Sequence, residues 1–228
     1  MPGGRRGIWI GLLCLLIGSN SLLFAETGAV HVLTVEGVIN PITAEYMVDG
    51  VTRAEQQQAE AVIIQLDTPG GLDKSMRMII KTFLSAQVPV VVYVAPSGAR
   101  AASAGLFITL AAHVAAMAPG TNIGAAHPVA LGGGEMDEAM KAKVENDAAA
   151  YIRSLAEKRG RNVEWAEKAV RESVSISASE ALAQGVIDLV ATDLSDLLEQ
   201  LEGREVSLPG GKRILQVKGK GVKPIPMT

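Results

Sequence analysis

Two segments of this 228-residue chain have the residue types and spacing to do chemistry. The first is Leu66-Asp67-Thr68-Pro69-Gly70-Gly71, which follows a run of apolar residues. Its paired glycines allow the backbone close to a ligand and present N–H groups to an anion. A tight strand-to-helix turn would use the same residues. The second is Pro96-Ser97-Gly98-Ala99-Arg100-Ala101-Ala102-Ser103-Ala104-Gly105, which places Ser103 at the start of a helix built of alanine and glycine. The dipole of such a helix favours a nucleophilic oxygen at that point, and small neighbours leave room for a substrate carbonyl. An ordinary serine cap in close packing carries the same signature.

A serine nucleophile needs a base. The histidines are His31, His113 and His127. His31 falls inside a strand and His113 begins one, so both read as packed or rim residues. His127, in Gly124-Ala125-Ala126-His127-Pro128, is better placed, in a loop after a strand and turn. Lys141 and Lys143 lie near the start of a long helix, and a lysine removed from water loses proton affinity and can act as a general base. On a solvated face neither would. Against the local stripe Met136, Met140, Val144, Lys143 is slightly nearer the apolar side than Lys141, but the stripe drifts farther along and leaves both open. No metal-ligand spacing links the histidines to carboxylates or to the single cysteine.

The elements that must position these residues alternate. Val30 to Val35, Ala61 to Leu66 and Val88 to Val94 are near-continuous apolar runs of strand length, the pattern of strands covered on both faces in a parallel sheet. Helical patterns run from Ile42 to Gln58, Lys74 to Ala86 and Ala101 to Ala112. His113 to Ala118 reads as a strand, and 136–159 and 163–172 as helices. Ser177-Ala178-Ser179-Glu180 is a capping box opening a helix that Gly185 closes, followed by a strand over 186–190 and a helix over 193–201. Repeated strand–helix units imply an α/β domain with a parallel sheet and right-handed crossovers. From Gly203 onward, Pro209-Gly210-Gly211 and Lys218-Gly219-Lys220-Gly221 suggest a hairpin or linker.

Composition narrows the function. Hydrophobic residues at 48% with 20% charged exclude a disordered chain. A net charge of −3 with only 4% aromatics argues against a nucleic-acid binder. Residues 1–25 carry Arg5 and Arg6, an apolar run from Ile8 to Ile17, and Ala25 before Glu26, the plan of a secretory signal peptide or an N-terminal anchor. The run is short for a membrane span. Either reading sends the remainder out of the cytoplasm, and cleavage, by removing Arg5 and Arg6, would take the charge from −3 to −5. Cys14 lies inside that run, so the exported domain would hold no cysteine.

Taken together, Asp67-Thr68-Pro69-Gly70-Gly71, Ala101-Ala102-Ser103-Ala104-Gly105, Met117-Ala118-Pro119-Gly120-Thr121-Asn122-Ile123-Gly124-Ala125 and Ser179 to Asp188 resemble the N-terminal protease domain of NfeD-like membrane proteins. That family is related to signal peptide peptidase A and, more distantly, to the Clp protease and crotonase fold. The resemblance covers roughly residues 28–200. It implies a ClpP/crotonase-like domain over 28–202 and a Ser–Lys dyad: Ser103 as nucleophile and Lys143, eight residues before Tyr151, as base. It also implies an oxyanion hole from the N–H groups of Gly70 or Gly71 and Ala104, with no cofactor. Family members cleave apolar peptide segments, including the C-terminal region of a stomatin-like membrane partner, and a homo-oligomer is expected. The family usually continues into membrane spans and a small β-barrel, so 203–228 reads as a tail or linker toward such a region, and the chain as a natural short form or a fragment. Two other readings are a crotonase-type acyl-CoA enzyme, which would want carboxylates near the hole, and a non-catalytic scaffold that binds the stomatin-like protein.

Overall fold

The computed structural model describes residues 28–129 and 137–227. The described residues begin with β1 (Val30–Glu36), α1 (Pro41–Gln56), β2 (Ala61–Asp67), α2 (Asp73–Ser85) and β3 (Val90–Val94). A short strand β4 (Arg100–Ala102) leads into α3 (Ala104–Ala111), then β5 (Val114–Met117) and β6 (Asn122–Gly124). Two helices, α4 (Glu138–Arg159) and α5 (Val163–Arg171), precede β7 (Ser175–Ser177), α6 (Ala178–Ala183), β8 (Leu189–Val190) and α7 (Leu194–Leu201). The described residues end with β9 (Glu205–Leu208), β10 (Gly211–Ile214) and β11 (Val222–Pro224).

Six strands form a parallel sheet in the order β11-β1-β2-β3-β5-β8. Alternation sends Val62, Ile64, Leu66, Val90, Val92 and Val94 to a core packed by α1 to α5, and Ala61, Ile63, Val91 and Tyr93 to a second core under α7 and the β9–β10 hairpin. Cover on both faces is why these strands read as unbroken apolar runs. Each such side chain contributes roughly 1.5–3 kcal/mol by leaving water. The helix starts are chemically marked. Asn40 and Thr43 form a reciprocal capping box on α1, and Ser177 and Glu180 form the one anticipated on α6.

A second, three-stranded sheet, β4-β6-β7, carries the segment before Ser103. The helix expected over 101–112 therefore starts later: residues 100–102 are extended because Thr68 N–H donates to Arg100 O at 2.8 Å and Ala102 N–H donates to Thr68 O at 3.1 Å. The segment after 203 packs against the domain. β9 and β10 form a hairpin, β11 adds to the sheet edge beside β1, and Leu215, Val217 and Ile225 are buried. The proposed signal segment, residues 1–25, and Leu131 to Gly134 lie outside the described residues.

Candidate active site

The turn after β2 is fixed by Thr68, which is fully buried. Its Oγ1 donates to Gly70 O at 3.2 Å and accepts from Gly70 N–H at 3.0 Å. Gly70 O also accepts from Ile39 N–H, and Leu72 N–H returns a bond to Ile39 O, both at 2.8 Å. Asp67 Oδ1 accepts from Arg100 N–H at 3.0 Å, locking the β2 end to β4. Gly70 has φ +115°, and a Cβ there would fall 2.6 Å from Ser103 Cβ and 3.1 Å from Ser103 Oγ. The position requires glycine for its conformation, and the absent side chain is what admits Ser103.

Ser103 connects β4 to α3 with φ 50° and ψ −116°, a conformation that costs about 1–3 kcal/mol for a residue with a side chain. The surrounding structure holds it there. Ser103 N–H donates to Gly124 O at 3.1 Å, and Ser103 O accepts from Leu106 N–H at 3.0 Å. Its hydroxyl does not cap α3. The close approach of α3 depends on Gly105, where a Cβ would lie 2.5 Å from Thr68 Cγ2. Thr68 thus touches both halves of the site, the glycine turn through its hydroxyl and the first turn of α3 through its methyl. The N–H groups of Gly71 and Ala104 have no hydrogen-bond partner among the described residues, whereas that of Gly70 is engaged by Thr68. Ala104 is the first residue of α3, so its N–H is one of the donors a helix start leaves open.

The two lysines lie on α4, which runs alongside α3 in the same direction. Tyr151 stacks on Phe107 with centroids 6.0 Å apart, and Arg159 Nε donates to Ala111 O at 2.8 Å. The Phe107–Tyr151 contact lies four residues after Ser103 and eight residues after Lys143. Arg77 of α2 sits 4.3 Å over the Tyr151 ring and pairs with Asp147. One turn before Asp147, Lys143 is on the α2 side of the helix. Lys141 is one turn before Glu145, which pairs with Arg171 of α5 at 3.1 Å, and so lies on the α5 side. Both lysines are exposed, and no hydrogen bond joins either to Ser103 among the described residues. The apolar setting expected to hold a lysine neutral is therefore not supplied by the described residues of a single chain.

The histidines are occupied elsewhere. His31 is buried in β1, and burial, then Lys223 and Arg53, push its pKa below the ordinary value. His113 Nδ1 accepts from Val90 N–H at 3.1 Å, and burial, followed by Arg159, Arg161 and Lys158, pushes it down to about 3. His127 Nδ1 is 3.1 Å from Val170 O. No group of three or more metal-ligating side chains, and no helix long and apolar enough to cross a membrane, occurs among the described residues. Sequence reasoning passed over Thr68 as a functional residue although it sits inside the glycine motif. It also missed Gly124, Arg77 and Tyr151, which act only through the tertiary structure.

Comparison with known proteins places this geometry. Residues 29–203 match the family model described as "NfeD1b, N-terminal domain". The chain is 38% identical over 220 residues to the Membrane-bound protease PH1510 of Pyrococcus horikoshii, covering 96% of this chain and 49% of that protein. A solved serine-to-alanine mutant of the 1510-N membrane-bound stomatin-specific protease superposes with a TM-score of 0.82 at 37% identity, over 89% of this chain and 99% of that one. A lysine-to-alanine mutant of the same protease, in complex with a substrate peptide, matches with a TM-score of 0.82 at 38% identity, over 89% and 94% of the two chains. The chain spans about half the length of the curated relatives it matches.

Proposed function

We propose, from the premise that this chain belongs to the NfeD1b N-terminal domain family, that it is the catalytic unit of a serine endopeptidase working through Ser103 and Lys143. The observation that carries the reading is Ser103 itself: a strained residue at the N-terminus of a fully buried helix, with its Oγ against the Gly70 turn. The structure of a relative in which a serine is replaced, and of one in which a lysine is replaced with a peptide bound, supports a Ser–Lys pair. The two replaced residues lie one position farther apart than Ser103 and Lys143, and three farther than Ser103 and Lys141. Together with the position of Lys143 on the α2 side of α4, that spacing favours Lys143 over Lys141.

In this reading, deprotonated Lys143 Nζ takes the Ser103 hydroxyl proton as Oγ bonds to the scissile carbonyl carbon. The carbonyl oxygen becomes an oxyanion held by the N–H groups of Gly71 and Ala104, each worth about 3–4 kcal/mol to the transition state. Gly70 contributes the space for Ser103, its own N–H being bonded to Thr68. Collapse breaks the C–N bond, and the Lys143 ammonium protonates the leaving amine. Lys143 then takes a proton from water, whose oxygen attacks the acyl ester and releases the carboxylic acid and Ser103. Asp67, the carboxylate at the turn, is tied to Arg100 N–H, which disfavours the acyl-CoA reading.

The substrate is an apolar peptide segment, from a stomatin-like membrane protein. Val38 and Ile42, which flank Ile39 beside the Gly70 turn, are 54% and 65% exposed and offer it an apolar approach. Membrane-bound relatives fit residues 1–25 acting as an export signal or anchor that carries the catalytic unit, residues 28–202, to an extracytoplasmic membrane surface. There it works in two or more copies, with 203–228 folding back on the unit. The lack of a Ser103–lysine hydrogen bond is what a non-catalytic scaffold would show. Labelling with a serine-reactive phosphonate separates the two: modification mapped to Ser103 is the expected result, and an unlabelled folded protein would favour the scaffold.

A further inference from the structure

At the C-terminal end of α3, positive charge exceeds the negative charge that faces it. Arg161 is 5% exposed, and its Nη1 donates to Leu110 O at 2.6 Å and Ala112 O at 3.1 Å. Its Nη2 pairs with Asp188 at 2.6 Å. Arg159 donates to Ala111 O and has no salt bridge among the described residues. The helix C-terminus supplies roughly half a negative charge and Asp188 one more, against the three cations Lys158, Arg159 and Arg161. The imbalance is felt locally: Arg159 is lowered to about 10 by burial and by Arg161. Three donors in the cluster are buried without a partner among the described residues: Arg159 Nη2, Arg161 Nε and His113 Nε2. Because His113 Nδ1 accepts from Val90 N–H, its proton is on Nε2. His113, Lys158 and Arg159 line a cleft of about 230 Å³ whose other walls include Leu84, Ser207 and Leu208, with no carboxylate in the lining.

We propose that this cleft binds a small oxyanion, phosphate or carboxylate, held by Lys158 and Arg159 with the neutral His113 Nε2–H as a third donor and the Ser207 hydroxyl at the rim. A half-buried guanidinium with no salt bridge among the described residues, as at Arg159, is unfavourable, and an anion with several oxygens answers both the charge and the open donors. The site is at the opposite end of α3 from Ser103 and stands whatever chemistry Ser103 performs.

The test is a titration of inorganic phosphate into the protein near neutral pH at constant ionic strength, followed by the His113 Nε2–H resonance, with acetate as a second arm. A saturable shift with either anion is expected; saturation by phosphate alone assigns a phosphate site, and saturation by acetate a carboxylate site. Lys158→Gln, at an exposed position, weakens binding roughly tenfold, as removal of one charged hydrogen bond would. Arg159→Gln weakens it further. A resonance that does not move, a linear drift without saturation, or equal affinity in Lys158→Gln would overturn the proposal even if Arg159→Gln does not fold.

Discussion

The two ends of the eight-residue helix α3 are treated in opposite ways. At the C-terminal end, the carbonyls of Leu110, Ala111 and Ala112 accept arginine N–H bonds of 2.6 to 3.1 Å, and Asp188 draws Arg161 tight against them. At the N-terminal end, Ser103 is held at positive φ, the Ala104 N–H is open, and the neighbours are alanine and glycine. One end is closed by the largest cationic side chains, and the other is left polar and small. A helix secured at one terminus and buried along its whole length can hold a strained residue at the other. This division also assigns different consequences to mutation: loss of chemistry at one end, loss of stability at the other.

The sharpest way to break the comparison is Ser103→Ala. Turnover of an apolar peptide should fall by several orders of magnitude while thermal unfolding stays near wild type, and unchanged turnover would remove the nucleophile from Ser103. Lys143→Ala should fall by about 10²–10⁴ with Lys141→Ala near wild type; the reverse result would move the base to the α5 side of α4. At the other end, Arg161→Met should destabilise by about 3 kcal/mol in denaturant melts, since it strands Asp188 and the α3 carbonyls. A loss under about 1 kcal/mol would mean that the cap is not what secures α3. Thr68→Val keeps the methyl against Gly105 and removes the hydroxyl, so kcat should drop about tenfold with KM little changed and recover in Thr68→Ser. The effect that is absent at neutral pH concerns His113. Its folded pKa of about 3 lies below the ordinary value of 6.5, so the unfolded chain takes up the proton first. The stability this site provides is complete above about pH 6.5 and declines by about 1.4 kcal/mol per unit as pH falls toward 3. Acid melts of His113→Gln should show a shallower decline over that range.

Much of the framework is visible in sequence because its causes are local. Ala61 to Leu66 and Val88 to Val94 show burial on both faces in their lack of alternation, and Ser177 with Glu180 announces the start of α6. Asp67 to Gly71 and Ala101 to Gly105 mark the two sides of the site. What escaped depends on distant partners. β4, β6 and β7 are three residues each, too short for a period, and exist only because they pair with one another and with Thr68. Val222 to Pro224, among lysines and glycines, reads as linker until β1 offers an edge. The choice between Lys141 and Lys143 fails on the stripe Met136, Met140, Val144, because α4 buries a different set, Ala149, Ile152, Leu155 and Ala156, only in its second half.

The pairing of β11 with β1 has a mechanical meaning. The strands run parallel, with Val30 opposite Val222 and Val32 opposite Pro224, and are joined by bonds from Val30 N–H to Gly221 O and from Ile225 N–H to Val32 O. A force drawing residue 28 away from residue 227 pulls β1 from its first residue and β11 from its last. In parallel neighbours those pulls slide the strands past each other along their length, so the bonds between them share the load at once and do not unzip in sequence. Tyr46, whose hydroxyl donates to Ile225 O, adds a rivet to the same joint. β1 and β11 thus form a lap joint that would carry tension along the strands without opening the sheet that holds the site.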